Sequence, residues 1–236
     1  MGDNKKMDFD SFKLKSIDGL QIPCVRLSNN KKSKKTALIL PGYAYPVDGP
    51  LLFYTKLLLV EYDFDVITVD YHYNERDSFL KLDNKGKDEY FKKDQLFLAD
   101  QLIERIKTES LLLCGKSLGT TAITVMYDHP FIQSRLSSIS YIWYTPAQAW
   151  EKLIRILKNK ISPSFLVVGD NDPYYNKKNH SGLGKLPGYR EMIIPGAGHM
   201  LEKETDMPGS INNIHNVINL LEKLLKEDFL SVKKDL

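Results

Sequence analysis

One short segment of the chain combines residue types that can perform nucleophilic catalysis. The motif Gly115-Lys116-Ser117-Leu118-Gly119 follows an apolar run, residues 111–114, and precedes a segment, residues 120–126, that can continue as a helix. A strand, G-x-S-x-G and a helix in this order form a nucleophile elbow, a tight turn that lifts a serine hydroxyl out of a sheet. The outer glycines fit this interpretation, because a Cβ at either position would clash where strand and helix close together. The pattern predicts Ser117 as a nucleophile.

A serine hydroxyl is a weak nucleophile at neutral pH and needs a general base, which in turn needs an acid to orient it. Among five histidines, His199 is favoured because it follows a late predicted strand in a glycine-rich loop. For the acid, Asp172 is favoured over Asp170, which we interpret as a turn residue at the tip of its strand. The order Ser117, Asp172, His199 differs from the orders in chymotrypsin and subtilisin. The other four histidines are expected in surface, packing or pocket-wall roles.

The elements that must position these residues alternate between strands and helices. We predict strands at residues 9–16, 20–27, 36–40, 64–70, 111–114, 139–144, 164–168 and 191–194, with a turn at Asp18-Gly19, and helices at residues 51–61, 89–107, 146–158 and 211–230. Such alternation predicts an α/β fold with a doubly wound, mostly parallel sheet of about seven to eight strands. We expect one domain over residues 1–236, with ligands bound at the carboxyl ends of the strands.

Composition and charge narrow the classes of function. The net charge of +3 is too small to indicate a nucleic-acid partner, and the lysines at 31–35 are interpreted as a solvated loop. The chain lacks an apolar leader and any run of 18 apolar residues, which favours a cytoplasmic protein without a membrane partner. Cys24 and Cys114 lie in predicted strands and are interpreted as buried small hydrophobes, not as a disulfide or a metal site. We expect a monomer or a weak homodimer.

The chain resembles the serine hydrolases of the α/β-hydrolase fold, in particular their capless, esterase-like members. The motifs that carry the resemblance keep the family's order and are Leu40-Pro41-Gly42-Tyr43, the elbow, Gly169-Asp170-Asn171-Asp172-Pro173 and Pro195-Gly196-Ala197-Gly198-His199. The resemblance implies an oxyanion hole made by the backbone N–H groups of Tyr43 and Leu118, and a reaction without metal or organic cofactor. Two residues depart from the family: Pro41 replaces a usual histidine, and Lys116 is uncommon before the nucleophile. We expect Lys116 to point into solvent or to pair with a carboxylate.

The number of residues between the motifs indicates what kind of substrate the site could accept. Only about 20 residues separate Tyr144 from Ser164, which leaves room for one helix and none for a cap, so an open cleft is expected. Residues 73–87 are predicted to form a plain surface loop, with a partial flap as the alternative. Aromatic residues near strand ends are expected to line the cleft: Tyr45, Tyr71, Trp143, Tyr144 and Tyr174. This pattern favours a small or medium ester as the small-molecule substrate.

Three functions stay open at this point. The leading hypothesis is hydrolysis of a carboxylic ester through an acyl-enzyme formed on Ser117. A thioesterase, lactonase or amidase would use the same triad and pass through the same kind of intermediate. A non-catalytic binding protein is the alternative from another class, since a fold alone does not determine function.

Overall fold

The structure, a computed structural model, describes residues 7–29, 33–135, 138–148, 150–159 and 162–227. Its centre is one sheet of eight strands in the order β1-β2-β4-β3-β5-β6-β7-β8. The strands are β1 (Asp8–Lys15), β2 (Gln21–Ser28), β3 (Lys35–Leu40), β4 (Phe64–Val69), β5 (Ser110–Lys116), β6 (Ile139–Tyr144), β7 (Ser164–Gly169) and β8 (Tyr189–Ile194). Strand β2 pairs antiparallel with β1 and β4, and all other pairs are parallel. The prediction of a doubly wound, mostly parallel sheet is confirmed.

The described helices connect these strands across both faces of the sheet. They are α1 (Pro50–Glu61), α2 (Asp77–Leu80), α3 (Asn84–Ile103), α4 (Leu118–Met126), α5 (Pro130–Ser134), α6 (Trp150–Asn159), α7 (Lys177–His180) and α8 (Met207–Lys226). The predicted helices correspond to α1, α3, α6 and α8, but several boundaries differ. The predicted end of the last helix near residue 230 lies outside the described residues.

Capping side chains explain two of the boundary errors. Helix α3 begins five residues before the predicted start because the Asp83 carboxylate accepts a hydrogen bond from the Gly86 backbone N–H at 2.7 Å. Helix α8 begins at Met207, where Asp206 accepts from the Gly209 N–H at 2.9 Å in the same way. Both are N-caps, which satisfy backbone donors that the first turn of a helix leaves without partners.

Two apolar layers enclose the sheet, one on each face. Alternate residues of β5 show the separation, because Leu111 and Leu113 pack with α3, α4 and α6, whereas Leu112 and Cys114 pack with α1 and α8. Cys24 and Cys114 are both buried and unpaired, as predicted. Burial raises the pKa of the Cys24 thiol to about 12, so it does not ionise at neutral pH.

The segment of residues 73–87 is not the plain surface loop that we predicted. It contains a single 3₁₀ turn at Tyr73–Glu75, helix α2 and the first turn of α3. An enclosed ion pair fixes it, since Arg76 Nη1 lies 2.9 Å from Asp94 Oδ2 and Asp94 has no exposed surface. The Tyr73 hydroxyl donates to the same carboxylate oxygen at 2.5 Å. These contacts make the segment a packed wall beside the carboxyl ends of the strands.

Within the residues that the structure describes, no cap covers the carboxyl edge of the parallel strands. Between β6 and β7, the described residues form the single helix α6, in agreement with the predicted open cleft. This helix begins at Trp150 rather than at residue 146, and the chain bends at Thr145, whose φ is 43°. None of the helices in the described ranges is long and apolar enough to cross a membrane.

Candidate active site

Ser117 lies on a sharp turn between β5 and α4. Its backbone dihedrals are φ 52° and ψ −113°, which an L-residue rarely adopts, and α4 begins at the next residue, Leu118. Such a conformation costs about 1–3 kcal/mol and persists only where the surrounding structure enforces it. The turn presents the serine side chain at the carboxyl edge of the sheet, as the G-x-S-x-G pattern predicts.

The glycines of the motif permit the close approach that enforces this turn. A Cβ on Gly119 would lie 2.0 Å from the carbonyl oxygen of Leu40 in the neighbouring strand. One on Gly115 would lie 2.5 Å from the carbonyl carbon of Gly119. Both contacts are with backbone atoms, which cannot move aside as a flexible side chain can. Strand β5, strand β3 and helix α4 therefore close together only because neither position carries a side chain.

The substitution Gly119→Ala is expected to destabilise the fold by at least about 3 kcal/mol, because overpacking against backbone forces a shift of β3 or α4. Thermal or urea unfolding measures the effect. Gly184→Ala is the matched control, since a Cβ there would find its nearest neighbour, a carboxylate oxygen of Glu191, at 3.7 Å. The control should change the free energy of unfolding by less than about 1 kcal/mol. Equal stability of the two variants would contradict the close approach at Gly119.

The three residues predicted as nucleophile, acid and base lie in one chain of hydrogen bonds. His199 Nε2 is 2.8 Å from Ser117 Oγ, and His199 Nδ1 is 2.7 Å from Asp172 Oδ2. When Nδ1–H donates to Asp172, Nε2 is left to accept the serine hydroxyl hydrogen. The Asp172 side chain is fully enclosed, whereas 23% of the His199 side chain is exposed at the cleft.

Two adjoining loops hold the acid and the histidine in register. The loop after β7 carries Asp172 and the loop after β8 carries His199, and they are joined by the Asn171 N–H donating to the Ala197 carbonyl at 3.0 Å. Asp170 accepts from the Gly196 N–H at 2.6 Å. Asp170 thus connects the two loops instead of facing Ser117. It was predicted as a turn residue, and the structure adds this bond to the neighbouring loop.

The two predicted oxyanion donors border the same cleft as Ser117. Leu118 is the first residue of α4, where backbone N–H groups have no partner within the helix. Tyr43 follows Gly42, at which a Cβ would lie 3.4 Å from the Ser117 Cβ, so this backbone passes close to the serine. The arrangement is compatible with two N–H groups near the serine, and their role as an oxyanion hole stays a prediction.

A cleft of about 470 Å³ opens beside Ser117. The residues around it are Tyr43, Phe79, Asn84, Lys87, Asp88, Phe91, Ser117, Leu118, Thr121, Ala147, Gln148 and Tyr174. Aromatic rings supply its apolar surface, while α3 supplies a cationic, an anionic and an amide side chain. Sequence reasoning missed Phe79 and Lys87, because residues 73–87 were predicted as a surface loop. Phe91 was predicted as a core residue of its helix, which is confirmed by its 4% exposure, and it also borders the cleft.

Only Tyr174 of the five predicted pocket aromatics borders this cleft, and its ring meets the His199 ring edge-on at 5.2 Å. Tyr71, Trp143 and Tyr144 are 0–1% exposed and belong to the core, so their prediction as cleft residues is wrong. Trp143 and Tyr144 lie on opposite faces of β6, both of which helices cover, and the Tyr71 hydroxyl donates to the Pro41 carbonyl oxygen at 2.7 Å.

Tyr45 is the fourth misplaced aromatic. It is nearly buried and its hydroxyl accepts a hydrogen bond from the Leu51 N–H at 2.9 Å, which fixes the first turn of α1. It borders a separate hollow with Asp70 and His72, outside the cleft of Ser117. The prediction that Tyr45 lines the substrate cleft is corrected accordingly.

Lys116 also departs from expectation, since its side chain has no exposed surface. Its Nζ donates to Thr145 Oγ1 at 3.0 Å and to the His199 carbonyl oxygen at 3.1 Å, instead of meeting solvent or pairing directly with a carboxylate. Burial lowers the pKa of Lys116 to about 8, against the opposing attraction of Asp172 and Glu202.

The remaining histidines have partners away from Ser117. His72, His129 and His180 each contact a carboxylate, and His215 contacts an amide on its own helix. Within the described ranges, no group of three or more His, Cys, Asp and Glu side chains is arranged to hold a metal ion.

Comparison with known proteins found solved structures of similar fold but no match by sequence. No protein-family model matches the chain, and no curated protein matches it. Among solved structures, a dienelactone hydrolase from Anabaena variabilis superposes with a TM-score of 0.68 at 16% identity, over 96% of this chain and 99% of the other. Est1E from Butyrivibrio proteoclasticus gives 0.64 at 12% identity, over 92% and 98%.

A third similar structure is the esterase Pf2001 of Pyrococcus furiosus, with a TM-score of 0.62 at 12% identity over 95% of this chain and 94% of the other. At such identities the likeness establishes architecture alone. The sheet order, the uncapped carboxyl edge and these superpositions lead to one conclusion: this chain has the α/β-hydrolase fold.

Proposed function

We propose that this protein is a serine hydrolase that cleaves carboxylic esters with small or medium acyl groups. The observation that carries the proposal is the continuous set of hydrogen bonds from Ser117 through His199 to Asp172, with distances of 2.8 and 2.7 Å. Nucleophile, base and acid within hydrogen-bond reach are the geometric requirement for acyl transfer by a serine. The hydrolases and esterases among the similar structures add support.

The reaction follows from this geometry in two stages. His199 Nε2 takes the proton of Ser117 as its oxygen attacks the ester carbonyl, and Asp172 stabilises the imidazolium that forms. The backbone N–H groups of Tyr43 and Leu118 stabilise the negative oxygen of the tetrahedral intermediate. His199 then gives its proton to the leaving alcohol, which departs and leaves the acyl group on Ser117. Water, activated by the same imidazole, releases the acid and restores the serine.

The cleft supports a substrate of modest size. A volume of about 470 Å³ falls at the small end of ligand pockets and, without a cap, cannot enclose a long acyl chain. Rings of Tyr43, Phe79, Phe91 and Tyr174 offer an apolar surface for a short acyl or alcohol group. We propose a small-molecule ester as the substrate on this basis.

Hydrolysis of p-nitrophenyl esters with acyl chains of two to sixteen carbons tests the proposal. We expect kcat/KM to be highest for the short acyl chains and to fall as the chain outgrows the cleft. Parallel assays with a thioester, a lactone and an anilide of the preferred acyl group compare the other bonds. Turnover of the thioester, lactone or anilide without the ester would overturn the assignment of bond, and no turnover of any would favour a binding protein.

A further inference from the structure

The Lys116 ammonium is a buried charge for which the proposed reaction has no step. The residue is fully enclosed at the end of β5, one position before Ser117. Burying an ammonium is costly unless partners replace its hydration, and an apolar side chain of similar length often fills such a site with better stability. A cation in this place therefore raises the question of what its charge and its donors do.

The contacts of the ammonium connect three loops at the carboxyl edge of the sheet. Its Nζ donates to the His199 carbonyl oxygen at 3.1 Å and to Thr145 Oγ1, after β6, at 3.0 Å. It also lies 4.8 Å from the centroid of the Tyr45 ring, which comes from the loop after β3. The first contact holds the backbone of the residue whose imidazole must align with Ser117. The other two fix the ammonium itself.

Two carboxylates on the segments that the ammonium connects also attract it. Asp172, which bonds to the His199 imidazole, and Glu202, three residues after His199, both favour the charged form of Lys116 and oppose the effect of burial on its pKa. The charge and the donors of Lys116 therefore act on the loops that hold the acid and the base.

We propose that Lys116 is a positioning residue that holds the His199 backbone in place and so keeps the imidazole aligned with Ser117. The inference rests on the proposed function, because it assigns Lys116 a role only through the histidine that serves Ser117. It explains why an ammonium is enclosed directly beneath the reacting groups. It also predicts a dissociation between stability and activity that a purely structural lysine would not show.

The test is the variant Lys116→Met, which keeps the length of the side chain and removes its charge and donors. We expect kcat on the preferred ester to fall about 10- to 100-fold with little change in KM, since misplacing a catalytic group by about 1 Å has an effect of this size. The melting temperature should stay equal or rise.

Two further variants separate charge from hydrogen bonding and from core packing. Lys116→Gln removes the charge but keeps a donor, so its kcat should fall less than that of Lys116→Met, and it decides the question if Lys116→Met does not fold. Cys114→Ala, two residues earlier on the same face of β5, removes buried volume without charge. It should lower the melting temperature and leave kcat unchanged.

The NMR signal of the Nδ1 proton that His199 shares with Asp172 gives a readout without turnover, assigned by its loss in His199→Gln. It should shift or broaden in Lys116→Met, because the His199 backbone loses its bond to Lys116. An unchanged signal together with an unchanged kcat would overturn the role of Lys116. If the wild-type protein turns over no ester, the proposed function fails, and the signal still decides whether Lys116 holds His199 in place.

Discussion

Ser117→Ala is expected to lower kcat for the preferred ester by about 10⁴- to 10⁶-fold, the loss that follows removal of a serine nucleophile. The residual rate would come from the oxyanion donors and from binding alone. The variant should fold, because only a hydroxyl is removed and the turn is held by Gly115 and Gly119 rather than by the serine side chain. The effect is measured as kcat in steady-state hydrolysis, with the enzyme concentration taken from the mass of protein in the assay.

Thr121→Ala is the matched control for this substitution. Thr121 borders the same cleft as Ser117 and also carries a side-chain hydroxyl, but the hydrogen bonds that join Ser117, His199 and Asp172 do not involve it. Its kcat should stay within about tenfold of the wild type, as expected for a residue outside the transferring groups. Wild-type turnover in Ser117→Ala would show that another group is the nucleophile.

The second large effect is expected for Asp172→Asn, with a loss of about 10⁴-fold in kcat, because the amide favours the wrong tautomer of His199 and cannot stabilise the imidazolium. The carboxylate contacts His199 Nδ1 at 2.7 Å through Oδ2 and accepts from the Tyr174 N–H at 2.9 Å through Oδ1. An amide can preserve one of these contacts, so the loop should keep its conformation while activity falls.

Asp170→Asn provides the comparison within the same loop. Asp170 accepts a hydrogen bond from Gly196 and does not reach the imidazole, so its substitution should lower kcat less than about tenfold and act mainly on stability. The two variants therefore distinguish the acid of the triad from a neighbouring structural carboxylate. A larger loss in Asp170→Asn than in Asp172→Asn would reverse the assignment.

Local patterns made much of the fold predictable from sequence. The strand before Ser117, the glycines around it and the apolar runs of the parallel strands are signals within a few residues of one another. The carboxyl ends of parallel strands share one edge of a sheet, so Asp172 and His199 could be placed near Ser117 without knowing any contact. The structure brings these three residues together at hydrogen-bond distances.

Contacts between distant segments set the limit of that reasoning. The direction in which the Trp143 ring points depends on the face of β6 that the residue occupies and on the helix that covers this face. Neither can be read from the residues next to Trp143 in the sequence. Lys116 bonds to His199, 83 residues away, which no local pattern indicates. The position of Phe79 beside the cleft depends in turn on the buried ion pair between Arg76 and Asp94.

The central claim is that Ser117 is an activated nucleophile, and covalent labelling by an alkyl fluorophosphonate tests it most directly. Mass spectrometry of the intact wild-type protein should show one adduct, located by peptide analysis at Ser117. Labelling should be lost in Ser117→Ala and greatly slowed in His199→Ala, because the imidazole accepts the proton of the attacking hydroxyl. A wild-type protein without an adduct, or with its adduct on another residue, would contradict the account.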